Sequence, residues 1–234
     1  MEDTVVSIPR IGEQAPEFKA VTTQGAINFP ADYKGSWVIF FSHPADFTPV
    51  CTSEFMTFAK MENDFAAYNC KLVGLSVDGL YSHIAWLRNI KEKIDFKGMK
   101  GMEVKFPLIE DITMEVAKKY GMIQEGESNT KAVRAVFVID PKGVIRTVLY
   151  YPLSTGRNFD ELLRIVIALQ TADAFTCATP ADWRPGDEVI VPPAGSCGVA
   201  KDRVEGKEEN VKCYDWYFCT KPVGAQEIDS KLKK

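Results

Sequence analysis

One stretch of the chain carries residue types at spacings suited to thiol chemistry: Ser42-His-Pro-Ala-Asp-Phe-Thr-Pro-Val-Cys-Thr-Ser-Glu54. Thr48 followed by Pro49 is a helix-start signal, with Thr as N-cap and Pro at the first helical position. Cys51 then falls in the first turn, among unpaired backbone N–H groups at the positive end of the helix dipole, and both favour thiolate over thiol. A cysteine near a helix start is more often structural than reactive, but here the same few residues also place a hydroxyl, Thr48, one turn away. Two other chemistries can be tried on the same residues. A thioredoxin-type dithiol enzyme needs a second cysteine at position 54, where Glu54 stands. A Cys–His hydrolase needs a histidine base, for which His43 is a candidate and His83 a poor one. A lone thiolate attacking a small electrophile fits better than either.

Six cysteines are present, at 51, 70, 177, 197, 213 and 219. In a cytosolic chain of this length they are not expected to form a disulfide framework. The chain has two histidines and no Cys-x-x-Cys pair, and Cys213-x5-Cys219 is not a zinc-knuckle spacing, so no metal or other cofactor is expected. Cys70, at a strand start, reads as buried and inert, while nothing argues a role for Cys177 or Cys197. Cys213 and Cys219 would lie roughly 20 Å apart in an extended segment. A disulfide needs Cα atoms within roughly 7 Å, so these two pair only if the arm bends.

The elements that must position Cys51 follow from hydrophobic periodicity. Trp37–Phe41 reads as an apolar strand leading into the reactive loop, and Phe55, Phe58, Ala59 and Phe65 recur on one face of a helix running to about Tyr68. Phe18–Gly25 alternates and turns at Gln24-Gly25, a short hairpin. Leu72–Val77 is a buried strand, Leu80, Ile84, Leu87 and Ile94 mark a second helix, and a short strand at Phe106–Ile109 precedes a helix near 114–120. Ala135–Ile139 and Val144–Tyr151 are strands joined through Asp140-Pro-Lys-Gly143, whose turn chemistry is that of a hairpin. A last helix runs from Phe159 to about Ala172. The order β-α-β-α-β-α-β-β-α argues an α/β sheet with parallel pairs and an antiparallel hairpin edge.

Arg134 starts the first of these two strands on the face of Val136 and Val138, a place where a guanidinium needs a partner; the plain reading is an exposed arginine paired to an acid. Arg157 could be an ordinary helix-start residue. After about residue 175 prolines and glycines break the pattern, residues 201–212 form a charged run, and Tyr214, Trp216 and Phe218 make an aromatic knot between two cysteines. Along an extended strand these aromatics would share one face and the cysteines the other. So poor a core cannot bury them, which calls for another surface.

The chain has 234 residues, 46% hydrophobic and 26% charged, with formal net charge −4, an ordinary globular composition. Nothing in it calls for nucleic acid or an anionic membrane. No apolar run reaches the roughly 18 residues of a membrane span. Met1-Glu-Asp-Thr4 has neither the basic region nor the apolar core of a signal peptide, so a cytoplasmic protein is expected.

The reactive stretch resembles the peroxiredoxin signature Pro-x-x-x-Thr-x-x-Cys, matched at Pro44, Thr48 and Cys51. The resemblance spans nearly the whole chain and is closest to the peroxiredoxin-6-like branch with one peroxidatic cysteine and a long C-terminal domain. The signatures of that branch stand at 42–51 and at Thr155-Gly-Arg-Asn-Phe-Asp-Glu161, and the Cys213–Cys219 tail looks like that of archaeal-type members. It implies a thioredoxin-like fold, a central mixed sheet flanked by helices, over 1–174, with an irregular arm domain over 175–234. It implies a thiol peroxidase that reduces hydrogen peroxide and organic hydroperoxides through a sulfenic acid on Cys51. Thr48 would hold thiolate and peroxide oxygens in line, Pro44 would shield the pocket, and Arg134 would lower the cysteine pKa and stabilise the developing oxyanion. Arg157 would add a second cation, Glu54 would orient one of the arginines, and His43 would be a pocket wall. Cys219, or else Cys213, would resolve the sulfenic acid across a subunit boundary. A thioredoxin-like or other dithiol would be the reductant, and dimers would assemble, as a decamer. Some members are also phospholipases, but Gly35-Ser36-Trp37-Val38 lacks the required pattern. The rival class is an oligomeric chaperone whose aromatic arm binds unfolded clients.

Overall fold

The computed structural model of the chain describes residues 8–233, so the segment Met1–Thr4 on which the expectation of no signal peptide rested lies outside the described residues. The chain divides into two compact units, Met1–Phe159 and Asp160–Lys234.

The first unit opens with the hairpin β1 (Phe18–Thr22) and β2 (Gly25–Phe29), turning where Gln24-Gly25 demands it. Then come β3 (Trp37–Ser42), α1 (Pro49–Ala67), β4 (Cys70–Ser76) and α2 (Leu80–Lys93). A two-stranded flap, β5 (Asp95–Phe96) and β6 (Met99–Lys100), precedes β7 (Leu108–Glu110), α3 (Glu115–Lys119), β8 (Arg134–Ile139) and β9 (Ile145–Tyr151). Seven strands form one sheet in the order β2-β1-β7-β4-β3-β8-β9. β3, β4 and β7 are parallel, and the other pairings are antiparallel. This is the mixed, helix-flanked sheet that the resemblance implied.

β3 is central, and every one of its side chains is buried, as expected where both faces of a sheet are covered. Its period-two alternation splits the aromatics between two layers. Phe40 packs on one face with Phe29 (centroids 5.1 Å apart), Tyr120 (4.9 Å) and Phe137 (6.3 Å). Phe41 packs on the other with Phe58 (4.3 Å) and Phe55 (5.8 Å), both from α1, and with Phe106 (5.7 Å). The helix bearing Cys51 is therefore clamped onto the strand that leads into it.

The second unit holds α4 (Phe159–Phe175, whose first residue closes the first unit), β10 (Val189–Ile190), α5 (Cys197–Val204), β11 (Lys212–Asp215), β12 (Phe218–Lys221) and α6 (Ala225–Leu232). The division into compact units falls at 159/160 in the chain, while the composition changes near 175. The tail is also more regular than its prolines and glycines suggest. β10, β12 and β11 form an antiparallel sheet, and α5 starts at a Ser196 cap whose Oγ accepts the Val199 N–H at 3.2 Å. The expected extended aromatic strand is instead a tight hairpin with Cys213 opposite Cys219. Their Cα atoms are 4.0 Å apart and a disulfide joins them. Because the chain reverses at Trp216-Tyr217, Tyr214 and Phe218 stack ring on ring at 5.1 Å. As the sequence implied, the tail does not bury its aromatics: Tyr214 (57%), Trp216 (48%), Tyr217 (60%) and Phe218 (41%) are all exposed.

Candidate active site

β3 ends at Ser42, a six-residue loop follows, and α1 starts at Pro49 with Thr48 as its N-cap in extended conformation. Phe47 turns the chain with φ of 55°, a left-handed value uncommon for a non-glycine residue. The Thr48 hydroxyl does not cap the helix; it donates to the Ala45 carbonyl at 2.8 Å, leaving its lone pairs as acceptors. Pro44 is buried in the same loop. Cys51 sits in the first turn as expected, and its side chain is fully buried.

The partners of Cys51 come from far along the chain. Arg134, the first residue of β8, donates from Nη1 to the Cys51 Sγ at 3.2 Å and to Glu54 Oε2 at 2.8 Å, and from Nη2 to the Leu153 carbonyl at 2.8 Å. Its Nε–H is buried without a hydrogen-bond partner. The plain reading of an exposed strand-start arginine fails: Arg134 is 2% exposed.

Arg157 holds a more central place than a helix-start residue would. Its Nε and Nη2 make a fork on Glu54 at 2.9 and 2.6 Å, its backbone N–H adds a third bond at 2.8 Å, and Nη1 reaches the Ser42 carbonyl at 3.0 Å. The guanidinium also lies over the Phe41 and Phe58 rings at 5.0 and 5.7 Å. Glu54 therefore serves both arginines, where the sequence reading gave it one. Burial alone would push the Glu54 carboxyl up, but the charge and hydrogen bonds of Arg157, with the charge of Arg134, hold it below the ordinary range.

Beside this network lies a cluster that the sequence reading did not assemble. Both histidines meet Asp46: His43 Nε2 at 3.0 Å from Oδ1, and His83 Nδ1 at 2.8 Å from Oδ2, with His83 Nε2 3.1 Å from the Ile109 carbonyl. His43 stacks on Trp86 and meets the edge of Phe55, and its Nδ1 is buried without a partner. Burial lowers the His43 pKa against the pull of Asp46. Burial would raise Asp46, but the two histidine hydrogen bonds bring it down to about 2. His43, Asp46 and Asp78 bring donor atoms within 4.8 Å of one another. The carboxylates of this group are engaged internally: Asp46 meets both histidines, and Asp78 accepts the Asp46 N–H at 3.0 Å and the Ser76 hydroxyl at 2.7 Å. The only signal in the sequence was the His43-x-x-Asp46 spacing.

A groove of about 540 Å³ runs along the outer side of the first turns of α1, lined by Phe47, Val50, Met56, Trp86, Ile94 and Phe96 among others. Elsewhere, Cys70 is buried and its thiol is pushed up to about 12 by that burial, which matches an inert core residue. Cys177 is half-buried and Cys197 exposed, both free.

Comparison with known proteins fits this geometry. Residues 11–148 match the AhpC/TSA family, and residues 168–207 match the C-terminal domain of 1-Cys peroxiredoxin. A peroxiredoxin of Methanosarcina mazei is 61% identical over 214 residues, covering 92% of this chain and 98% of that one. One of Aquifex aeolicus is 54% identical over 229 residues, covering 94% and 99%. Among solved structures, yeast mitochondrial 1-Cys peroxiredoxin superposes with TM-score 0.79 at 41% identity, covering 92% of this chain and 100% of that one. Peroxiredoxin 6 of Arenicola marina gives 0.78 at 35%, covering 91% and 97%.

Proposed function

This chain belongs to the AhpC/TSA family and is a peroxiredoxin, a thiol peroxidase; on that premise we propose that Cys51 is its peroxidatic cysteine and that it reduces hydrogen peroxide and organic hydroperoxides. The observation that carries this is the 3.2 Å hydrogen bond from Arg134 to the Cys51 sulfur, given by a guanidinium that Glu54 and the Leu153 carbonyl keep from turning away.

The Cys51 thiolate attacks the distal oxygen of the hydroperoxide, an S–O bond forms as the O–O bond breaks, and the alkoxide leaves with a proton as water or alcohol. Arg134 stabilises the thiolate, and its unpartnered Nε–H offers a donor to the charge developing on oxygen. Thr48 accepts from the peroxide, Pro44 keeps bulk water out, and His43 closes the wall. Arg157 acts through Glu54, as a positioning residue. The apolar groove beside α1 supports hydroperoxides with an apolar substituent.

Cys219 of a second copy then condenses with the sulfenic acid, giving an intersubunit disulfide and water, and a dithiol of the thioredoxin class reduces it. Because Cys51 is fully buried, residues about 48–55 unwind for that step. The exposed tail aromatics support docking onto another copy. Two-fold exchange of tails gives a dimer, and dimers assemble as a decamer, in the cytoplasm. Stopped-flow measurement of hydrogen peroxide consumption tests the central assignment. Cys51→Ser should abolish it, and full activity in that variant would sink the assignment.

A further inference from the structure

We propose that Ser42 is a positioning residue for peroxide reduction: its hydroxyl clasps the backbone turn that carries Arg134 and so sets how closely that guanidinium meets the Cys51 sulfur. This rests on the reading above, in which Cys51 is the sulfur that peroxide oxidises and Arg134 acts on it.

β3 and β8 pair antiparallel from Val38↔Ile139 to Phe41↔Val136, and their ladder stops there. Continued by one residue, the same register would set Ser42 opposite Ala135. The Ser42 side chain crosses the strands at that point in place of a further backbone rung. Its Oγ donates to the Val133 carbonyl at 2.6 Å and accepts the Ala135 N–H at 3.2 Å. That N–H is shared, because it also reaches the Val133 carbonyl at 3.0 Å and so closes a three-residue turn centred on Arg134. The hydroxyl therefore grips both ends of the turn, and Arg134 is the residue between them. Ser42 is fully buried, so bulk water does not compete for either bond.

Arg134 is thus held at both of its ends. Glu54 and the Leu153 carbonyl fix the guanidinium, and Ser42 fixes the backbone from which it springs. Arginine has many rotamers, so an anchored head alone leaves its approach to the sulfur dependent on where its Cα sits. The backbone of Ser42 adds to the clasp. Its carbonyl accepts Arg157 Nη1 at 3.0 Å, and the same nitrogen donates to the Ala135 carbonyl at 3.3 Å. One serine at the end of β3 thereby contacts the supports of both guanidiniums that Glu54 joins.

A methyl group at position 42 keeps the carbonyl bond to Arg157 and removes both hydroxyl bonds. The Ala135 N–H and the Val133 carbonyl still satisfy each other, so no backbone group at the turn is left without a partner. The loss falls on geometry: the turn is free to relax, and Arg134 moves with it against the Cys51 sulfur.

The test is a double-mutant cycle on hydrogen peroxide reduction by the full-length protein in stopped flow, with wild type, Ser42→Ala, Arg134→Met and the double variant. A residue that acts through Arg134 matters only while Arg134 is present. Ser42→Ala should slow reduction about 10- to 100-fold in the wild-type background. Beside Arg134→Met it should change the rate by less than about twofold. A wild-type rate in Ser42→Ala, or the same factor lost in both backgrounds, would overturn the positioning role. A slow Arg134→Met with a normal Ser42→Ala sinks that role alone, whereas a wild-type rate in Arg134→Met removes the assignment of Arg134 on which it rests. If Ser42→Ala does not fold, Ser42→Cys, close in shape and only a weak donor, takes its place in the cycle under the same criteria.

Discussion

Replacing Glu54 by Gln keeps the shape of the side chain and removes the one anion that two buried guanidiniums share. The carboxylate accepts four N–H groups, one from Arg134 and three from Arg157, at 2.6 to 2.9 Å, and it is 2% exposed. Breaking a buried ion pair by removing one partner costs about 3–5 kcal/mol, and here one removal uncovers two cations. We therefore expect Glu54→Gln to lose about 4 kcal/mol in urea unfolding followed by far-ultraviolet circular dichroism. A guanidinium freed to shift by an ångström against the Cys51 sulfur should slow peroxide reduction about 100-fold in stopped flow. The effect on stability has a pH signature. The Glu54 carboxyl is held below its ordinary value in the folded state, so its contribution is complete above the unfolded value near 4.5 and is lost as pH falls through the folded one. The stability gap between wild type and variant should thus be full at pH 7 and shrink toward pH 3. Unchanged unfolding midpoint and unchanged rate together would refute the claim that Glu54 fixes the two arginines.

Other outcomes follow from the same structure. Arg134→Met removes the sole side-chain donor to the Cys51 sulfur among the described residues and should slow peroxide reduction by about 10²–10³-fold; a rate within threefold of wild type would place Arg134 outside the chemistry. Asp46, at about 2 in the folded state against an ordinary 3.8, contributes roughly 2 kcal/mol that is present above pH 4 and lost as pH falls toward 2, so Asp46→Asn should flatten acid unfolding over that window. Phe137→Ala, in the middle of β8 and fully buried against Phe40 and Tyr120, should lose about 3–5 kcal/mol by calorimetry or urea titration and leave the peroxide rate of the folded protein unchanged.

What could be read from residues alone divides along physical lines. The junction of β3 and α1 was legible because Trp37–Phe41 is an unbroken apolar run and Thr48-Pro49 is a strong local start signal. The two-sheet-edge hairpins were legible because Gln24-Gly25 and Asp140-Pro-Lys-Gly143 dictate their turns. Contacts between distant segments were not. Arg134 lies 83 residues from Cys51 in the chain, and the His83–Asp46 bond spans 37 residues. Neither spacing is visible to a local pattern, and only the family resemblance pointed to Arg134. Arg157 was undervalued because its three bonds to Glu54 depend on the loop after β9, whose path no periodicity describes. The tail was misread for a different reason. Alternating aromatics suit an extended strand, but Asp215-Trp-Tyr-Phe218 is a turn whose Asp215 side chain accepts the Trp216 N–H at 2.7 Å, a local side-chain bond that favours reversal.

The account stands on Cys51 as the sulfur that peroxide oxidises, and the most direct measurement keeps that sulfur from passing its oxidation on. The double variant Cys213→Ser, Cys219→Ser is treated with one equivalent of hydrogen peroxide, trapped with dimedone and mapped by mass spectrometry. The sulfenic acid label should fall on Cys51 and nowhere else. Label on Cys70, Cys177 or Cys197 with Cys51 still a free thiol would contradict the account at its root.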